Sequence, residues 1–378
     1  MLKSEKSLKL VEKITAAPPP INADFKLLTN YLGAANFFGV IYFFNKGYCF
    51  KTFGLLLTIL VAGVAFFSFK VQKIIYENLH PTLKGMSIVL TVTDTVFLTF
   101  ILVSLMLRKR EHWKKLFETM HIFENILNTC DYLDNENGMW RISLKIILIS
   151  TTILHSIYSL YYYIFENIFE AFQIILVLRG LVNLYLILIT TFYLTLTNWL
   201  RNRYTFMHKY LTTTITKPGY FLIVRKVIIT FKLAETVVQK TNHLFGSIIF
   251  TSLAVCVINI LYYFVLALDL TSISTEAKCI NYIAPLIYAV FLVVLTMSCN
   301  SVETSGHSLI KTCYLLHESA ELDVDKDHLM LLVKYVEEWR PIFSAAGFYD
   351  VNQASLSSIF SSIITYLVIA IQFNMVLA

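Results

Sequence analysis

Seven stretches of this chain run for roughly 20 residues with scarcely a charge in them, the length that crosses the hydrocarbon core of a bilayer as a helix. They are Gly54–Val71, Ser87–Leu107, Leu144–Phe165, Ala171–Leu196, Leu244–Leu268, Ile280–Asn300 and Leu356–Leu377. Inside lipid every backbone N–H and C=O must bond within its own segment, so such runs fold as helices. The chain is 57% hydrophobic and 15% charged, whereas soluble domains are about 45–50% and about 25%. It reads as an all-α polytopic membrane protein with seven transmembrane helices. The apolar stretch Leu32–Phe44 is too short and too broken for a span and reads as an interfacial or re-entrant segment.

Lysine and arginine set the orientation. The segments before the first span and after the second, fourth and sixth hold 25 of the 31 basic residues. Lys84 and Lys278 stand on the opposite side. The N-terminus is therefore expected in the cytoplasm and, after seven crossings, the C-terminus outside. The net charge of +6 is mostly this orientation signal, so nucleic acid is not an expected partner. Of the six cysteines, Cys49, Cys130, Cys299 and Cys313 fall on the reducing side, Cys256 lies in a span, and only Cys279 faces outward. No external disulfide is expected within the chain. "MLKSEKSLKLVEKITAAPPP" at the N-terminus lacks the apolar core of a signal peptide.

The inner segments are long and patterned as helices. "REHWKKLFETMHIFENIL" spaces its apolar residues helically. "VRKVIITFKLAETVVQKTNHLFG" runs from a Pro218-Gly219 turn straight into the fifth span, and "HLMLLVKYVEEWRPIFSAAGF" is expected to do the same before the seventh. These extensions are expected to form a cytoplasmic assembly region. The chain divides into a cytoplasmic N-terminus with an interfacial helix over 1–53, helices one to six over 54–300, a cytoplasmic anchor segment over 301–354 and a final helix over 355–378. Outer loops are short, so an external ligand must bind among the spans. The paired broken helices of many secondary transporters are missing.

No enzyme motif is present: no P-loop, G-x-G-x-x-G, H-E-x-x-H or C-x-x-C. No cofactor and no metal site are expected. "DVDKDH" (Asp323–His328) has His328 where a calcium loop needs Gly and lacks the closing Glu, so it reads as a solvated acidic loop.

Ionisable residues inside spans are costly unless paired or hydrated. Asp94, His155 and Arg179 are three such residues. Counted from the outer ends of their spans they share a depth of about 12–15 Å at about 1.5 Å per residue. An Asp94–Arg179 pair that holds two helices together and a water-filled pocket open to the outside both fit. Tyrosine and asparagine crowd the same outer halves. Tyr158, Asn183, Asn259, Tyr262 and Tyr288 suit a pocket for a small amphipathic molecule, offering rings for stacking and a few hydrogen-bonding groups.

The seventh span carries a polar stripe. With Gln372 at 0° and about 100° per residue, Thr365, Ser361 and Ser358 fall within about 40° of it. Ile369 and Val368 flank the stripe. Lipid is no partner for it. Either the stripe hydrogen-bonds neighbouring helices or it is a water-contacting pore wall; the scarcity of Gly and Ala there weighs towards the wall.

That helix ends in "TYLVIAIQF" (Thr365–Phe373), which resembles the T-Y-five-apolar-Q-F signature closing the insect gustatory receptors. "SAAGFYDVNQASLSSIFSSIITY" (Ser344–Tyr366) is similar to that family's small-residue-Gly-aromatic turn before the last helix. "KTNHLFGSII" (Lys240–Ile249) resembles its N-x-x-F-G entry to the fifth helix, and "LRNRYTFMHKYL" (Leu200–Leu211) its R-[FY] exit from the fourth. "LLTNYLGAANFF" (Leu27–Phe38) looks like its Leu-Gly segment, without the usual proline.

The resemblance implies a seven-helix receptor that is itself a ligand-gated ion channel in the plasma membrane. It implies a homotetramer, or a heterotetramer with related receptors, whose seventh helices line a central pore. It places Gln372 and Phe373 at the constriction, with Thr365 and Tyr366 lower on the same helix. With no acidic ring there, a poorly selective cation pore is expected. The tastant is expected to be a bitter plant compound, with a sugar or polyol as the alternative. A G-protein-coupled receptor would need an external N-terminus, and an odorant-receptor subunit would lack the T-Y…Q-F ending.

Overall fold

The computed structural model describes residues 59, 63, 81–107, 110–128, 169–214, 220–268, 275–319 and 323–377. Among them are seven helices and one small hairpin: α1 (Pro81–Leu107), α2 (Arg110–Asn128), α3 (Phe169–Thr214), α4 (Tyr220–Leu268), α5 (Thr275–Ser319), α6 (Asp323–Glu338), β1 (Ser344–Ala345), β2 (Tyr349–Asp350) and α7 (Gln353–Leu377). Five of these helices, α1, α3, α4, α5 and α7, are long and apolar enough to cross a membrane, and each contains or overlaps a span read from the sequence. The spans at Gly54–Val71 (apart from Ile59 and Gly63) and Leu144–Phe165 lie outside the described residues, as does the segment 1–53.

The three central helices are far longer than a bilayer needs. α3 has 46 residues, α4 49 and α5 45, about 70 Å each at 1.5 Å per residue. α4 is continuous from Tyr220 through the fifth span, as its sequence indicates; Pro218 and Gly219 lie outside the described residues. Where these helices leave the apolar zone they pack on α2 and α6. The core is dominated by rings there: Tyr193, Trp199, Tyr204, Phe123 and Phe231 are all fully buried.

Arg203 is also fully buried. Its Nε and Nη2 donate to Glu124 Oε1 of α2 at 2.9 and 2.6 Å, and Trp199 Nε1 donates to the same oxygen at 2.5 Å. Three donors converge on one carboxylate oxygen, which ties α2 to α3. A buried charge persists only with such partners.

Two readings of the sequence are corrected. Asp323–His328 is not a loop; it opens α6, with Asp323 and Asp325 in the first turn, where acidic side chains favour the positive end of the helix dipole. Nor does the segment before the seventh span run into it as a helix. α6 ends at Glu338, and Pro341, which lacks an N–H and cannot continue a helix, opens a hairpin. Ser344 pairs with Asp350 and Ala345 with Tyr349. Ala346 and Gly347 hold φ of 55° and 79°, a conformation glycine adopts freely and alanine only under constraint. Among the described residues the otherwise all-helical architecture thus contains one two-stranded element, placed where α7 begins.

Candidate functional site

Six of the pocket residues expected from the sequence converge in one buried cluster on four helices. α1 supplies Asp94, α3 Arg179 and Asn183, α4 Asn259 and Tyr262, and α5 Tyr288. Asp94 and Asn259 are 2% and 1% exposed. Arg179 Nη1 donates to the Tyr263 hydroxyl at 2.9 Å, and its guanidinium lies 5.2 and 5.4 Å from the Tyr262 and Tyr263 ring centres, within cation–π range. Tyr288 donates to Asn183 Oδ1 at 2.9 Å and its ring stacks on Tyr263. The Asp94 carboxyl faces the Arg179 charge and lies beside the Asn259 side chain.

The cluster is short of donors. Asn259 Nδ2 is turned to Val255 O at 2.9 Å, while among the described residues the buried Asp94 Oδ1, Asn259 Oδ1 and Ser87 Oγ find no hydrogen-bond partner. Buried acceptors in that state are uncommon. Ser87, Thr91 and Asp94 lie on one face of α1 at helical spacing, Thr91 bonding back to Ser87 O at 3.1 Å. One turn further on, Phe97, Leu98 and Ile101 are wholly buried and apolar, so the polar track stops at Asp94. A small molecule seated here would meet two carbonyl-type acceptors, a cation and three aromatic rings.

The sequence reading missed Tyr263 as a member. Its signal was available: Tyr263 stands four residues after Asn259, the spacing that places two side chains on one helix face. His155 and Tyr158 lie outside the described residues.

α7 is arranged differently. Along its span Ile363 is the only buried residue among those whose side chains are described, with Leu356, Ile359, Phe360 and Leu367 partly covered beside it. At about 100° per residue Gln372 stands about 180° from Ile363. Ser358, Ser361 and Thr365 lie within about 40° of that opposite direction, and all four are exposed. Thr365 Oγ1 donates only to Ser361 O of its own helix, at 3.0 Å. No described residue of another helix bonds to the stripe. Ile369, Tyr366 and Phe373, also singled out in the sequence, are 40%, 59% and 60% exposed.

The base of α7 is held firmly. Asn352 and Ser355 cap it reciprocally: Ser355 N donates to Asn352 Oδ1 at 3.2 Å, and Asn352 N to Ser355 Oγ at 3.1 Å. Gln353 N donates to Asn300 Oδ1 of α5 at 3.3 Å and Asn352 Nδ2 to Glu303 at 3.4 Å. An open cavity of about 510 Å³ lies alongside, lined by Asn300, Glu303, Thr304, His307, Gln353 and Ser357 among others. The N-x-x-F-G residues of α4 meet the hairpin. Asn242 Nδ2 donates to Ile342 O at 2.8 Å and its Oδ1 accepts from Ser344 N at 3.0 Å. Phe245 stacks on Phe192. A Cβ on Gly246 would sit 3.0 Å from Ala346 N and Ser344 O. Among the described residues no group of three or more His, Cys, Asp or Glu side chains could hold a metal ion.

The fold has solved counterparts. The chain superimposes on the olfactory receptor OR5 of the insect Machilis hrabei in complex with eugenol, with a TM-score of 0.67 at 11% identity, over 92% of this chain and 98% of that one. A second structure of the same receptor gives 0.66 at 10% identity over the same shares. At such identity the likeness concerns the fold. No curated protein matches the chain. The family model described as 7tm Chemosensory receptor matches residues 30–377, nearly the whole length, and the chain belongs to that insect chemosensory receptor family.

Proposed function

We propose that this chain is a gustatory receptor that is itself a ligand-gated, poorly selective cation channel of the plasma membrane. In this reading the N-terminus is cytoplasmic and the C-terminus extracellular. Four subunits, identical or drawn from related receptors, surround a pore lined by α7. The supporting observation is that α7 turns its apolar face to its own bundle and its polar stripe away from it. A stripe of hydroxyls and an amide facing lipid has no partner; one facing water between subunits does. Ions pass Gln372, with Phe373 and Ile369 beside it and Thr365, Tyr366, Ser361 and Ser358 below. The reading assigns no catalytic chemistry and no nucleic-acid partner.

The ligand site is the Asp94 cluster, in the outer half of the bundle. Its tyrosines suit a plant secondary compound sensed as bitter. A sugar or polyol is the second reading, favoured by Asp94 Oδ1 and Asn259 Oδ1, which have no hydrogen-bond partner among the described residues and which a ligand hydroxyl would satisfy. OR5 from Machilis hrabei, similar in fold, has eugenol bound, and a small-molecule ligand is expected here too.

Expression of the chain alone, with a panel of bitter compounds and sugars and recording of calcium entry and current, tests this. A ligand-evoked current altered in conductance or selectivity by Gln372→Ala is expected. A responding channel indifferent to Gln372→Ala would contradict the pore assignment. A surface-exposed N-terminus in unpermeabilised cells would contradict the topology.

A further inference from the structure

Two histidines outside the sites described above face each other between α2 and α4. The His112 and His243 ring centres lie 5.2 Å apart, with the rings tilted at 57°. Both side chains are exposed. Among the described residues neither imidazole has a hydrogen-bond partner.

The pair is built by two helices rather than by one. His112 stands in the first turn of α2 and His243 near the middle of α4. One turn along, Lys240 of α4 donates to Lys115 O at 3.0 Å and to Thr119 Oγ1 of α2. Moving back along α4 thus meets residues further on in α2, so the two helices run antiparallel and touch in successive rungs. Among the described side chains of these helices, the charged groups closest in sequence to the pair are Lys115, Glu118 and Lys240. The Lys240 ammonium is held in its two bonds to α2, and the Glu118 carboxylate faces it, which offsets part of the positive charge.

The spacing of the rings has a chemical meaning. An imidazole nitrogen binds Zn²⁺ at about 2.0–2.1 Å in tetrahedral geometry. With each ring centre about 1.1 Å behind its nitrogen, a shared ion stands about 3.2 Å from both centres, and the tetrahedral angle sets the centres about 5.2 Å apart. The observed separation matches that value. A simple ring contact falls in the same range, and coordination of an added ion distinguishes the two.

We propose that His112 and His243 form a two-histidine site for a d-block cation of the Zn²⁺ and Cu²⁺ class, which imidazole suits. Two nitrogens fill half of a tetrahedral shell and water fills the rest, so binding is reversible and weaker than at a four-ligand structural site. The site has only two protein ligands, in keeping with the lack of any group of three or more among the described residues. A bound ion bridges α2 to α4. His243 adjoins Asn242, whose side chain holds Ile342 O and Ser344 N of the hairpin segment, so the bridge stiffens that joint and depresses ligand-evoked current. The compartment and the effect on current rest on the topology and the channel reading proposed above: α2 follows the second span and lies on the cytoplasmic side. The binding site itself rests on neither.

Binding is tested on purified full-length receptor titrated with Cu²⁺ and followed by electron paramagnetic resonance. Wild type is expected to hold an ion with two imidazole nitrogens. His112→Ala and His243→Ala, both at exposed positions, are each expected to weaken that binding at least about tenfold, and to lose the two-nitrogen signature, since either leaves a single imidazole ligand. Gel filtration confirms that the variants are folded. His317→Ala on α5 controls for the loss of one histidine and is expected to change nothing. Binding equal to wild type in both α2 and α4 variants, or lost in only one of them, would overturn the bridge.

Regulation is tested in excised patches with Zn²⁺ applied to one face at a time. Inner-face Zn²⁺ is expected to lower the ligand-evoked current of wild type at least about twofold and to spare both alanine variants, as an effector site coupled to the channel requires. Equal inhibition of wild type and variants, or an effect from the outer face alone, would overturn the regulatory role. If no ligand evokes current from wild type, that failure belongs to the channel reading, and the Cu²⁺ titration still decides the site.

Discussion

Ile363 and Gln372 occupy opposite sides of α7, about 180° apart, the first buried against the bundle at 4% exposure and the second exposed. The helix therefore has a face for its own subunit and a face for something else. Ile363→Ala removes buried methyl groups and is expected to lower stability by about 2 kcal/mol, the low end for such truncations because the site is one-sided. Gln372→Ala is expected to stay within about 0.5 kcal/mol. Thermal melting of detergent-solubilised protein measures both.

The Asp94 cluster gives a prediction that separates a ligand site from a structural pair. Asp94→Asn and Arg179→Gln keep a polar side chain, the first of equal and the second of smaller size, and remove charge. Both are expected to reach the surface in near-wild-type amounts and to raise the half-maximal ligand concentration about tenfold, the effect of losing roughly 1.4 kcal/mol of binding. Loss of surface expression in both would make the pair structural.

Tyr288→Phe removes the hydroxyl that reaches Asn183 Oδ1 and leaves that acceptor buried and unpaired. A penalty of about 1–3 kcal/mol is expected. Asn183→Leu with Tyr288→Phe removes both partners and is expected to recover part of the loss in the same melting measurement.

At the other end of α3, Arg203→Ala would leave the Glu124 carboxylate buried without its cation. Removing one partner of a buried pair costs about 3–5 kcal/mol, enough to abolish a monodisperse peak in fluorescence-detected gel filtration. Arg203→Met with Glu124→Gln is expected to restore the peak, since apolar or neutral replacements of both partners are well tolerated.

Much of this was legible in the residues. The spans at α1, α3, α4, α5 and α7 announce themselves by length and hydropathy. That Asp94, Arg179, Asn183, Asn259, Tyr262 and Tyr288 stand close together could be expected because polar groups are conspicuous in a span and depth can be counted along a helix. The stripe on α7 follows from helical angles alone. What was not legible depends on contacts between distant segments. Nothing local tells that Asp323–His328 caps a helix rather than looping, because Asp serves both. The hairpin is four paired residues, too short for a strand pattern, and exists because Asn242 and Gly246, about a hundred residues earlier, receive its backbone. Glu124 meeting Arg203 and Trp199 is likewise a tertiary fact, invisible in either helix alone.

Which face of α7 meets the proposed ion path can be measured directly. Gln372→Cys and Ile363→Cys can each be exposed to a membrane-impermeant thiol reagent during ligand-evoked current, in a receptor whose wild-type current the reagent does not change. The account predicts block of the Gln372→Cys current and no effect on Ile363→Cys. Block at Ile363→Cys with Gln372→Cys untouched would contradict it.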